Sequence, residues 1–184
     1  MPKTLYLIAG ANGCGKTTLT KELLKSDKEL VWLNSDEIAE AMNDELGITS
    51  GRVLMIQLND ALAKKQSVVL ESTISGKYHE GVIEKFQKAK YEVIFVYVFL
   101  DSLEQNLARI KQRVELGGHN VPEDAVKRRF YRSVKNFWSV CKLVDKWELY
   151  YNGENNYELI ARGKGEMLEI IDDVIYNAFK KGSK

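Results

Sequence analysis

Eight residues near the start of the chain constrain it more than any others. Gly10-Ala11-Asn12-Gly13-Cys14-Gly15-Lys16-Thr17 fits the pattern of glycine, four residues, glycine, lysine and threonine without a mismatch. The flanks agree with it. Leu5-Tyr6-Leu7-Ile8-Ala9 reads as a short buried strand, and Thr17, Thr18, Leu19, Leu23 and Leu24 read as the start of a helix. A strand, a glycine-rich loop and a helix N-terminus together make a phosphate cradle. Small residues let backbone N–H groups curl around the anion, and the helix end adds partial positive charge. Lys16 supplies a mobile full charge, and the Thr17 hydroxyl is suited to ligate magnesium. Gly10, Ala11, Asn12, Gly13, Cys14, Gly15, Lys16, Thr17 and Thr18 are therefore the expected nucleotide-binding residues.

The rest of the chain reads as the scaffold such a loop requires. Strands are expected at 4–9, 30–34, 67–71 and 92–100. Val68-Val69-Leu70 and Val93-Ile94-Phe95-Val96-Tyr97-Val98-Phe99 are continuously apolar, as parallel strands covered on both faces are. Leu54, Leu58, Ala61 and Leu62 recur at helical spacing, as do Leu103, Leu107, Ile110 and Val114. Later, 147–152 and 157–162 read as strands joined by the turn Gly153-Glu154-Asn155-Asn156. Leu168, Ile171, Ile175 and Phe179 read as a closing amphipathic helix. This alternation predicts a doubly wound α/β sheet, with the ligand at the carboxyl ends of its strands.

That rule directs attention to the strand ends. Asp36 follows the second strand in Asn34-Ser35-Asp36-Glu37. It fits either a general base that accepts a hydroxyl proton or an acid in the first turn of a helix capped by Asn34. Glu71 follows Val68-Val69-Leu70, where a carboxylate is suited to bind substrate hydroxyls or to hold magnesium through water. Ser72 and Thr73 are placed to assist it. Phe99-Leu100-Asp101 imitates a metal-binding strand end, but Asp101 with Glu104 reads better as a helix cap with an acidic first turn. Between 109 and 135, Arg109 and Arg113 share one helical face. Gly117-Gly118-His119-Asn120-Val121-Pro122 breaks the helix, and the next one carries Arg128, Arg129 and Arg132. Two arginine-bearing helices joined by a glycine break predict a lid that closes over phosphate.

Composition narrows the function class. The 27 basic and 26 acidic residues nearly cancel, which argues against a global attraction to nucleic acid or anionic lipid. Cys14 and Cys141 make no disulfide framework, and no apolar run approaches a membrane span, so a cytoplasmic single domain is expected over 1–184. Cys14 is expected to be a small filler of the loop rather than a redox group.

The phosphate loop, Asn34-Ser35-Asp36, Leu70-Glu71-Ser72-Thr73 and the 113–122 segment follow one another in an order that resembles the compact zeta-toxin-like P-loop kinases. Arg128-Arg129-Phe130-Tyr131-Arg132-Ser133 and Trp147-Glu148-Leu149-Tyr150-Tyr151-Asn152 extend the resemblance over almost the whole chain. The resemblance implies a nucleotide-kinase-like fold with a helical lid, using ATP and magnesium. In it Lys16 holds phosphate, Thr17 holds the metal and Asp36 is the base. Glu71 and Thr73 face substrate, while Arg113, Arg128 and Arg132 serve the transferring phosphate. The implied activity is transfer of the γ-phosphate to a hydroxyl of a small molecule, with a nucleotide sugar such as UDP-N-acetylglucosamine as the family's acceptor. Two alternatives remain open at this point. One is a P-loop kinase of a nucleoside or nucleic-acid end, and the other is a nucleotide-binding partner of an antitoxin with little turnover.

Overall fold

The computed structural model describes residues 3–42, 48–118, 120–153 and 156–183. The first strand, β1 (Thr4–Ala9), leads through the loop into α1 (Lys16–Ser26). β2 (Val31–Asn34), α2 (Ser35–Ala41), α3 (Ile48–Ala63) and β3 (Val68–Ser72) follow. Next come α4 (Tyr78–Lys88), β4 (Glu92–Phe99), α5 (Leu103–Glu115) and α6 (Glu123–Cys141). β5 (Lys146–Tyr151), β6 (Glu158–Lys164), β7 (Met167–Ile170) and α7 (Asp173–Gly182) complete the chain. His119 and the Glu154-Asn155 part of the expected turn lie outside the described residues.

The strands form a seven-stranded sheet in the order β2-β3-β1-β4-β5-β6-β7. Pairing is parallel from β2 through β5, and β6 and β7 are antiparallel. This is the expected α/β architecture. Long parallel crossovers need helices between strands, and those helices cover both faces. On one face Leu5, Leu7, Leu70, Phe95 and Tyr97 pack against α3, α4, α6 and α7. On the other, Ile8, Val69 and Val96 pack against Leu19, Leu23 and Leu24 of α1. The alternation along β1 thus sorts Leu7 and Ile8 to opposite cores. α5 and the start of α6 share a small cluster of their own, built on Leu103, Ile110, Val121 and Val126. No helix among the described residues is long and apolar enough to cross a membrane.

Leu168 and Ile171 are not part of the closing helix. Lys164 pairs with Met167 across a two-residue turn, so Leu168 lies in β7, and the helix starts later, capped by the Asp172 carboxylate on the Ile175 N–H at 2.9 Å. The spacing of the apolar residues imitates a helix across a boundary that hydrogen bonding places at Asp172.

Phe137 is the hub of the larger core. It is fully buried, with ring centroids of Tyr97, Phe179 and Trp138 at 5.0, 5.1 and 4.9 Å. Phe137→Ala is expected to cost about 3–5 kcal/mol of unfolding free energy, measured by urea denaturation. A loss within ~0.5 kcal/mol of zero would contradict this packing.

Candidate active site

The loop between β1 and α1 sits at the carboxyl edge of the sheet, between β3 and β4, and its carbonyl groups are held from outside. Lys16 Nζ donates to the carbonyls of Gly10 at 2.9 Å and Ala11 at 3.0 Å. Asn106 Nδ2 donates to the Asn12 carbonyl at 2.8 Å, and Asn152 Nδ2 to that of Cys14 at 2.9 Å. The Tyr157 hydroxyl donates to the Gly15 carbonyl at 2.7 Å. A loop whose carbonyls are engaged by outside donors has its N–H groups available to an anion. Gly15 has φ +105°, and a Cβ there would lie 2.3 Å from Asn152 Nδ2, so both backbone angle and space demand glycine. Cys14 is fully buried beside Val98 and Leu100. Burial pushes its thiol pKa up, which fits a filler and not a reactive thiolate.

The carboxylates converge on the same loop. Glu71 is 2% exposed, a position that disfavours an ionised group unless donors surround it. Thr17 Oγ1 donates to Glu71 Oε2 at 2.9 Å, and Trp32 Nε1 to Oε1 at 2.9 Å. Asn34 Nδ2 adds a longer bond to Oε2 at 3.4 Å. Parallel pairing sets this up, because Glu71 lies level with Ile8 of β1 and Asn34 of β2. Asp36 occupies the first turn of α2, where Asn34 Oδ1 accepts from the Asp36 N–H at 3.0 Å and the Glu37 N–H at 3.4 Å. Asp36 also turns toward the loop, and its Oδ2 accepts from Asn12 Nδ2 at 3.2 Å. Both arrangements read for Asp36, capped helix and cleft carboxylate, are present together. Thr73 lies one residue past β3, mostly buried, with its hydroxyl 3.0 Å from that of Ser75. Ser72 accepts from the Ile74 N–H and the Tyr78 hydroxyl, so this pair belongs to the β3–α4 turn.

Lys16, Thr17, Asp36, Glu71, Arg109 and Arg113 line one cleft of about 400 Å³. An adjoining cavity of about 540 Å³ shares Arg109 and Arg113 and adds Leu116 and Tyr157. Arg109 is half-buried, and its Nη2 donates to the carbonyls of Asn152 at 2.8 Å and Gly153 at 2.6 Å. The helix carrying it ends in a Schellman turn: Gly117 has φ +85°, and the N–H groups of Gly117 and Gly118 bond the carbonyls of Val114 and Arg113 at 2.9 Å each. Arg128 and Arg132 are exposed on α6, and of the three arginines of that helix Arg129 is the one beside Asp36, 3.7 Å from its Oδ1. One residue rotates the helix by about 100°, which separates Arg129 from the face shared by its neighbours. At the end of β4 the cap is Ser102, whose Oγ accepts from the Gln105 N–H at 3.3 Å, and not Asp101. Asp101 instead accepts from the Tyr151 hydroxyl and from Gln105 Nε2.

Asn106, Asn152, Tyr157 and Trp32 are site residues that the sequence reading did not single out. Asn152 directly follows β5 at the same carboxyl edge as the loop, a signal the strand-end rule carries. Tyr157 has no comparable signal, since it reaches the loop only through the β5–β6 pairing.

A phosphate loop, its threonine against a buried glutamate and a carboxyl-edge cleft define a P-loop nucleotide-binding domain of kinase-like fold. Residues 5–135 match the model of an AAA domain family, and the chain belongs to that family. An uncharacterized protein of Haemophilus influenzae is 34% identical over 137 residues, which cover 71% of this chain and 94% of that protein. A crystal structure of AvrRxo1-ORF1:AvrRxo1-ORF2 with ATP superposes with a TM-score of 0.76 at 17% identity. The match covers 100% of this chain but only 64% of the other. The PezAT chromosomal toxin-antitoxin system of Streptococcus pneumoniae gives a TM-score of 0.69 at 12% identity, covering 97% and 79% of the two chains.

Proposed function

We propose that this protein is an ATP-dependent kinase that transfers the γ-phosphate to a hydroxyl group of a small molecule. The observation that carries the reading is the carboxylate of Asp36, hydrogen-bonded to the phosphate loop through Asn12 and lining the same cleft as Lys16 and Thr17. A nucleotide-dependent binding module has no need of a carboxylate there, whereas a phosphotransferase needs one to orient the acceptor oxygen.

Each residue then has a chemical task. Lys16 exchanges its bonds to the Gly10 and Ala11 carbonyls for the β- and γ-phosphates. Thr17 Oγ1 and the carboxylate of Glu71 form a hard oxygen donor pair that would hold magnesium. Magnesium bound there would neutralise charge on the phosphate oxygens. This assignment moves Glu71 from the acceptor to the metal. Asp36 takes the acceptor's proton as its oxygen bonds to the γ-phosphorus, and ADP leaves with the bridging oxygen. Arg113, with Arg109, supports the phosphate charge, and Arg129 moves from Asp36 onto the transferred group. The adjoining cavity suits the nucleoside, with Tyr157 and Leu116 offering it apolar surface.

Glu71→Gln keeps the shape and leaves one oxygen to accept from Trp32 Nε1, but it removes the charge and puts a donor NH2 where Thr17 and Asn34 now donate. The magnesium concentration that half-saturates ATP binding, read by calorimetry, is expected to rise about 10–100-fold. An unchanged magnesium dependence would return Glu71 to the acceptor.

The acceptor is to be found by screening metabolites for ATP-consuming phosphorylation with Asp36→Asn as the blank. The motif resemblance supports starting with UDP-N-acetylglucosamine and other nucleotide sugars. Nucleosides and nucleic-acid ends belong in the same screen. The similar folds found in a toxin-antitoxin system and in a two-protein complex support a parallel search for a copurifying partner.

A further inference from the structure

We infer that Asn152, assisted by Tyr157, is a positioning residue that holds the phosphate loop in its anion-binding shape from the β5–β6 hairpin. The inference rests on the reading of the cleft as an ATP site. Loop and hairpin are far apart in sequence, but β5 pairs with β4, which in turn pairs with β1, so the end of β5 arrives beside the loop. Asn152 is 3% exposed and anchored through its own backbone, its N–H bonding the Phe99 carbonyl at 3.0 Å. Its carbonyl accepts from Arg109 at 2.8 Å. The side chain is therefore presented from a fixed base.

The direction of the amide follows from its partner. The Cys14 carbonyl can only accept, so Nδ2 must face it at 2.9 Å. Asn152 Oδ1 is then left buried without a partner among the described residues. A buried amide that leaves its acceptor unmet carries a stability penalty. Stability alone is thus a poor reason for asparagine at this position. The donor on the Cys14 carbonyl is what the position gains. Next to it, Tyr157 fixes the Gly15 carbonyl at 2.7 Å, and burial raises the phenol's pKa, keeping the hydroxyl a donor. Two successive loop carbonyls are therefore turned away from the phosphate side by groups of one hairpin. Free rotation of those peptides would point carbonyl oxygens, rather than N–H groups, at an anion.

The test uses Asn152→Leu, which keeps the size and adds no charge, and Tyr157→Phe, which removes only the hydroxyl. Binding of ATP, inorganic tripolyphosphate and adenosine is measured for each, with hydrogen exchange across residues 13–18. Asn152→Leu is expected to weaken ATP and tripolyphosphate about tenfold, and Tyr157→Phe roughly fivefold. Adenosine affinity should fall far less than ATP affinity, since Tyr157→Phe keeps the ring that lines the adjoining cavity, and exchange across 13–18 should speed up as the loop loses order. Equal losses for adenosine and ATP would make Asn152 a direct nucleoside contact and overturn the inference. Unchanged tripolyphosphate affinity in both variants would overturn it as well. If Asn152→Leu fails to fold, Tyr157→Phe carries the test alone. Lys16→Ala separates the two levels. If it abolishes ATP binding while both hairpin variants bind normally, only this inference falls. If the wild-type protein binds no ATP, the reading of the cleft falls with it.

Discussion

Lys16→Ala is expected to leave a folded protein that no longer turns over ATP. Lys16 is 7% exposed, and its ammonium is held by two loop carbonyls, so the charge is already stored at the cleft floor. A preorganised donor of this kind contributes about 3 kcal/mol to the transition state, a loss of roughly a hundredfold in rate. The fold does not depend on it, because the core clusters on both sheet faces are built from other residues. Circular dichroism should therefore match the wild type while ATP consumption falls to background. Wild-type turnover in this variant would sink the phosphate-loop assignment.

Asp36→Asn is expected to separate chemistry from binding. The amide is nearly isosteric and still fills the first turn of α2, but it cannot take a proton. A general base typically contributes 10²–10⁴-fold, so turnover should fall by about a hundredfold or more. ATP affinity should hardly change, since Lys16 and Thr17 are untouched and the amide oxygen of asparagine can still accept from Asn12 Nδ2. The ion pair with Arg129 is long, at 3.7 Å, and both side chains are about a third exposed, so its loss should move stability little. The discriminating measurement is the rate with a phosphorylated acceptor, set beside the melting temperature. A lower melting temperature with an unchanged rate would make Asp36 a charge for the α2 N-terminus and nothing more.

The phosphate loop and the parallel sheet were legible because both are local. The Gly-Lys-Thr loop needs only its own glycines and flanks, and continuous apolar strands such as 93–99 declare two-sided burial wherever they occur. Asp36 and Glu71 were legible for a related reason: Glu71 is the penultimate residue of β3, Asp36 lies two residues past β2, and parallel strands deliver their carboxyl ends to one edge. β7 was not legible, since four residues paired only by tertiary context carry no periodic signal, and their apolar spacing continues that of α7.

The division between Glu71 and Asp36 needed the third dimension. Strand register with the placement of α1 sets Glu71 against Thr17 and Trp32, and the first turn of α2 sets Asp36 against Asn12. The same holds for the arginines. Sequence marks a basic helix, but which of Arg128, Arg129 and Arg132 meets the cleft depends on the rotation at which α6 packs, fixed by Val126, Ser133 and Phe137 on its buried side. Asn152 and Tyr157 lie 138 and 142 residues from the carbonyls they hold, a distance no local pattern spans. The sequence by itself thus determined a phosphate-binding α/β domain, because helix ends, glycine loops and buried strands follow from neighbouring residues. Only the tertiary structure decided which side chains face the cleft, because strand register and helix rotation depend on packing between distant segments.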